Sequence, residues 1–100
     1  MSHDLSPLIQ QFLNQKVEVT EHRRTFQLGG KPYTFTEVEY VESDRTITAL
    51  KTAAGGEGLY LRVFTPGTMG TTDWRTDRLN AYVEKSPDGS HYRIDRLAIG

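Results

Sequence analysis

Three histidines, twelve Lys and Arg, and thirteen Asp and Glu are the groups with which this chain could do acid–base or metal chemistry, and it has no cysteine. Without cysteine there is no disulfide framework, no thiolate metal site and no cysteine nucleophile. His3, His22 and His91 are too scattered to form a metal pair on one element, and each reads as a surface residue. Glu37, Glu39 and Glu42 fall along one strand region and its end, where a charged outer face is ordinary. The pairs Gly29-Gly30 and Gly55-Gly56 sit in no phosphate-binding pattern. No nucleophile with its base, no pair of carboxylates and no metal set stands out, so the chain is expected to be no enzyme and to need no cofactor or metal.

The elements that would position any site divide into one helix and a run of strands. Ser6 followed by Pro7 reads as an N-cap and first helical position, because Pro has no N–H to leave unpaired there. Leu8, Ile9, Phe12 and Leu13 then recur at helical spacing, giving an apolar stripe on a helix of about three turns. From Val17 the period changes to two. Val17 and Val19, then Phe26 and Leu28, alternate with polar residues, and Gly29-Gly30 supplies the positive φ angles of a tight hairpin. Tyr33 and Phe35 lie on one face of the next strand and Val38 and Tyr40 on the other, a phase slip that predicts a β-bulge near Thr36-Glu37. Ser43-Asp44 reads as a turn, and Arg45 to Thr52 as extended because of Thr46, Ile47 and Thr48. Ala53 to Gly58 reads as a glycine-rich connection. Leu59, Leu61 and Val63 mark one further strand, Leu79, Ala81 and Val83 another, and a final strand runs from Tyr92 towards Ile99 after the turn Pro87-Asp88-Gly89.

The totals fit this reading. One hundred residues make a single domain, 1–100, and 36% hydrophobic with 25% charged residues is ordinary for a folded chain. A formal net charge of -1 with no basic stripe argues against nucleic acid and anionic membranes as partners. No apolar run approaches the ~20 residues that cross a bilayer, and the first residues lack the pattern of a signal peptide, so the cytoplasm is the default compartment. The expected architecture is α+β: a short N-terminal helix packed on a curved, mostly antiparallel sheet or partial barrel.

The segment from Thr65 to Asp77 is the unusual feature. Connections of this length inside a small domain are uncommon and often functional. This one holds Met69, Trp74 and several stiff threonines, with Arg75 and Arg78 available to hydrogen-bond to it. An extended loop that is braced before its partner arrives is a binding device, since less order has to be imposed on contact.

Pro66-Gly67-Thr68 and the run from Thr71 through Trp74 and Arg78 to Asn80, followed by Ala81-Tyr82-Val83, resemble the binding-loop region of the potato inhibitor I family and its bacterial relatives. That resemblance implies a small serine-protease inhibitor whose loop, Thr68, Met69, Gly70, Thr71, Thr72, Asp73 and Trp74, enters a subtilisin-like or chymotrypsin-like cleft as a substrate does. The bond between Thr72 and Asp73 would take the scissile position. Thr71 and Asp73 match positions that bond to arginine beneath the loop, Arg78 matches one such arginine, and Arg75 and Asn80 complete the bracing set. Three positions depart from the family pattern: Thr72 stands where a larger residue is usual, Gly70 where the chain is stiffer, and Asn80 where some members carry a second arginine. The run of strands read over Val17 to Thr52 departs further, because the family passes quickly from helix to the strand before the loop.

The alternative is a non-catalytic interaction or assembly module that uses a sheet face or edge, with a homodimer through Tyr33, Phe35, Tyr40, Tyr60 and Phe64 as its simplest form. The two readings differ in topology. The inhibitor allows the strands on either side of the loop to run parallel, whereas the rival is an antiparallel meander with a broad hairpin loop.

Overall fold

The computed structural model describes residues 4–67 and 74–100, and has the α+β architecture expected. Its described elements, in order, are helix α1 (Ser6–Phe12), strands β1 (Lys16–Val17), β2 (Val19–Leu28) and β3 (Lys31–Tyr40), helix α2 (Arg45–Gly56), and strands β4 (Tyr60–Phe64), β5 (Arg78–Lys85) and β6 (Tyr92–Ile99). A curled four-stranded sheet has the order β1-β6-β5-β4, and β2 and β3 form a separate two-stranded sheet. Leu8 and Phe12 of α1 and Ile47, Leu50 and Ala54 of α2 meet Leu79, Ala81, Val83, Ile94 and Leu97 of the sheet in one buried cluster.

The helix α1 is shorter than expected, and its cap lies elsewhere. Ser6 is already helical, and its N–H donates to Asp4 Oδ1 at 3.0 Å. Asp4 thereby serves one of the free N-terminal donors, and accepting from Ser6 holds its carboxyl below the usual carboxylate range.

The largest correction concerns Arg45 to Thr52, which is helical rather than extended. Three β-branched residues in a row favour a strand only weakly, and here two stronger local signals oppose them. Ile47, Leu50 and Ala54 recur at helical spacing and are all buried. Asp44 caps the helix by accepting from the Ile47 N–H at 3.0 Å. The supposed connection after Thr52 is the last turn of α2, ended at Gly58 with φ 72°.

The bulge expected near Thr36-Glu37 is absent. The strands β2 and β3 pair without interruption from Val19↔Tyr40 to Leu28↔Lys31, and Gly29 and Gly30 turn the hairpin with φ 61° and 79°. The phase slip has another cause. Tyr33 and Phe35 share a face with Phe26 on the outer half of the arm, whereas Val38 and Tyr40, on the opposite face, meet the body at its base. A bulge occurs in β6 instead: Tyr82 pairs with Arg96 but Val83 with Ile94, leaving Asp95 over. That extra residue lets both Ile94 and Leu97 face the core, three positions apart.

Asp44 also joins two parts of the fold, since its Oδ1 accepts from the Glu18 N–H at 3.0 Å, where β1 passes into β2. Asp44→Ala should therefore lose the helix cap and strand a partly buried N–H, together costing about 2–3 kcal/mol. A fall in the urea midpoint, smaller for Asp44→Asn, would register this.

Candidate functional site

The strands β4 and β5 are parallel neighbours, paired from Tyr60↔Arg78 to Phe64↔Tyr82. A parallel pair cannot be closed by a tight turn, so the chain must travel back along the whole strand before it re-enters the sheet. The segment 65–77 makes that return journey. Of the loop residues named from sequence, Thr68, Met69, Gly70, Thr71, Thr72 and Asp73 lie outside the described residues. The limb that leaves β4, residues 65–67, and the limb that enters β5, residues 74–77, are described.

The entering limb is tied at several points. The Tyr60 N–H donates to the Asp77 carbonyl at 2.8 Å, fixing the chain where β5 begins. Arg75 pairs with Asp77 through two hydrogen bonds of 2.9 Å, turned along its own limb. Trp74 is 69% exposed, so it does not fold the segment back into the core. Its indole instead lies over the last residue described, where a Cβ on Gly100 would come within 3.1 Å of Nε1.

Arg78 and Asn80 are the most informative pair. Alternation along β5 sends Leu79, Ala81 and Val83 to the core, which puts Arg78 and Asn80 on the opposite face of the sheet. A sheet face of this kind is commonly solvated, yet Arg78 and Asn80 are 9% and 6% exposed. Arg78 Nε donates to the Gly100 main-chain oxygen at 2.6 Å and Asn80 Nδ2 donates to the same atom at 3.1 Å. The buried Asn80 Oδ1 accepts no hydrogen bond among the described residues. Further along this face, Phe64 stacks on Tyr82 at 5.1 Å, with Arg62 over one ring and Arg96 over the other.

The limb leaving β4 has a support that sequence reasoning missed. Thr65 is buried, and its hydroxyl donates to the Val38 carbonyl at 2.6 Å. Between β3 and this limb lies an open groove of about 630 Å³, bounded by Phe35, Thr36, Val38, Val63, Pro66 and Gly67. No periodicity marks Thr65, because its partner lies 27 residues earlier on an arm whose placement the pattern does not reveal.

The other candidates are dispersed. His22 faces Glu39 at 3.7 Å on the exposed arm, where Arg24 also pairs with Glu37, and His91 Nδ1 meets the Ser90 hydroxyl at 2.9 Å. His3 lies outside the described residues. Among the described residues no three His, Asp or Glu gather as a metal site. The five aromatics of the assembly reading form no common face. Tyr33, Phe35 and Tyr60 are exposed, Tyr40 packs on the core, and Phe64 is stacked on Tyr82.

No protein-family model, curated protein or solved structure matches the chain.

What remains is a connection whose two described limbs, residues 65–67 and 74–77, are each tied to the body by hydrogen bonds. The Asp77 carboxyl lies below its ordinary value of 3.8, chiefly because Arg75 donates to it. Since the folded value is the lower one, the carboxylate's contribution is complete above 3.8 and disappears as pH falls through the folded value. Carbon-detected NMR titration should give Asp77 a midpoint below 3.8 that moves up towards it in Arg75→Ala. An unchanged midpoint in that variant would deny the pair its role.

Proposed function

We propose that this chain is a small serine-protease inhibitor which offers the segment 65–77 to the protease cleft as an extended, braced loop. The observation that carries this reading is the parallel pairing of β4 and β5 with Arg78 and Asn80 buried on the sheet face away from the helices. A meander with a broad hairpin loop would have these strands antiparallel, and would give a polar pair on its outer face no reason to be covered. The order of elements lends support as well. The helix α2 leads directly into β4, so helix, strand, loop and parallel strand follow one another as the resemblance to potato inhibitor I proteins implies. The hairpin of β2 and β3 stands outside that order as an addition before α2.

In this reading the loop adds its main chain to the edge of the protease site, and the side chain of Thr72 enters the primary pocket. Arg78 and Asn80 hold the underside, so cleavage of the Thr72–Asp73 bond would leave both new ends in place. A small β-branched residue suits a shallow pocket better than the deep apolar slot of a chymotrypsin-like enzyme. The proposal carries no membrane role, and no helix among the described residues is long and apolar enough to cross a bilayer.

Titration against subtilisin-like, chymotrypsin-like and elastase-like proteases should give saturable inhibition of at least one, with slow cleavage at Thr72–Asp73 seen by mass spectrometry. Thr72→Leu should strengthen inhibition of the chymotrypsin-like enzyme by about tenfold, the usual worth of one or two added methylenes in an apolar pocket. Rapid digestion by all three classes, or no inhibition of any, would overturn the proposal.

One observation favours the assembly reading: Phe26, Leu28, Tyr33 and Phe35 form an exposed apolar group on the arm, with Phe26 stacked on Tyr33 at 5.6 Å. Sedimentation equilibrium distinguishes the two, since the inhibitor is expected to stay monomeric at micromolar concentration.

A further inference from the structure

We infer that the β2–β3 arm is a second brace of the loop, and that Thr65 is a positioning residue which acts by hydrogen-bonding to it. The inference rests on the inhibitor reading for its purpose, although the contact itself does not.

The two limbs of the segment are supported by different parts of the molecule. Residues 74–77 and the start of β5 are held by Asp77, Arg78 and Asn80 against β4 and Gly100. None of these bonds reaches residues 65–67. There the Thr65 hydroxyl donates to the Val38 carbonyl at 2.6 Å, with both residues buried. Two residues on, a Cβ at Gly67 would lie 4.0 Å from the Thr36 carbonyl oxygen. The approaches pair 65 with 38 and 67 with 36, so the limb climbs alongside β3 in the opposite sense to it. Gly67, at φ 86°, takes a backbone form that other residues seldom adopt.

A strut must itself be fixed, and the base of the arm is. The Val41 N–H donates to the Glu18 carbonyl at 3.0 Å, and the Glu18 N–H donates to the helix-capping Asp44. Glu21, which pairs with Val38 across the arm, accepts from the Tyr92 hydroxyl of β6 at 2.8 Å. Val38 is thus tied through its neighbours to α2 and to the far side of the sheet. An isolated two-stranded hairpin would be a poor support, since it is only marginally stable in water. The outer half of this arm is exposed on both faces, so its rigidity resides at the base.

The test is a pair of substitutions at one position. Thr65→Val keeps the shape and removes the O–H, while Thr65→Ser keeps the O–H and removes a methyl. With the buried hydrogen bond to Val38 withdrawn, Thr65→Val should inhibit about tenfold less tightly and be cut between residues 66 and 77 about tenfold faster. Thr65→Ser should stay close to wild type in both. Thermal melts of both variants show whether the whole fold has been weakened instead. If wild type inhibits and Thr65→Val matches it in affinity and cleavage rate, the strut is wrong and the inhibitor reading stands. If wild type inhibits nothing, the inhibitor reading fails. Limited proteolysis by an unrelated protease then decides the strut, with faster nicking of Thr65→Val than of Thr65→Ser supporting it and equal rates overturning it.

Discussion

The parallel pairing of β4 with β5 is the constraint from which the rest of this structure follows. Antiparallel neighbours could be joined by two residues, but parallel ones require the chain to recross the sheet. Most proteins make that crossing with a helix, which satisfies its own backbone. Here the described limbs of the crossing, residues 65–67 and 74–77, are not helical and take hydrogen bonds from outside. The Tyr60 N–H of β4 provides such a bond to Asp77 on one side, and the Val38 carbonyl at the base of the β2–β3 arm accepts one from Thr65 on the other.

That demand explains the composition of β5. A strand in the middle of a small sheet needs apolar residues on its core face, and Leu79, Ala81 and Val83 meet that need with no exposure at all. Its other face would ordinarily go to water. In this chain it carries Arg78 and Asn80, which are buried and hydrogen-bonded, followed by Tyr82 in a stack with Phe64 and Arg96. Burying a guanidinium is costly unless its donors are satisfied, and the Gly100 main-chain oxygen that Arg78 shares with Asn80 meets part of that need.

Much of this was legible in the residues, and the failures have identifiable causes. The α+β class, the stripe of α1, the Gly29-Gly30 hairpin and the alternation of β4 and β5 all come from local periods, which tertiary contacts reinforce. The helix α2 is hidden in the sequence because Thr46-Ile47-Thr48 favours extended structure, and the cap at Asp44 reads as a turn. The phase slip in β3 was real, but it arose from two environments along a straight strand rather than from a bulge. The direction of β5 relative to β4 could not be read from alternation, which is the same for parallel and antiparallel pairs. Arg78 stands out as a cation beside the loop, and Asn80 only through the resemblance. Thr65 and Gly100 do not, because their partners are distant in sequence and neither position interrupts a pattern.

Under the inhibitor proposal, the ends of a cut loop would be held so closely that cutting gains little. When two termini are fixed beside each other, their effective concentration is high and the broken peptide bond can re-form at the enzyme that broke it. The most direct measurement is the ratio of intact to nicked chain by intact-mass spectrometry, after long incubation with a catalytic amount of an inhibited protease. It should be approached once from intact protein and once from protein already cut at Thr72–Asp73. A braced loop requires both preparations to converge on the same ratio, with intact and nicked forms in comparable amounts. Conversion of both to nicked protein alone, followed by degradation, would contradict it.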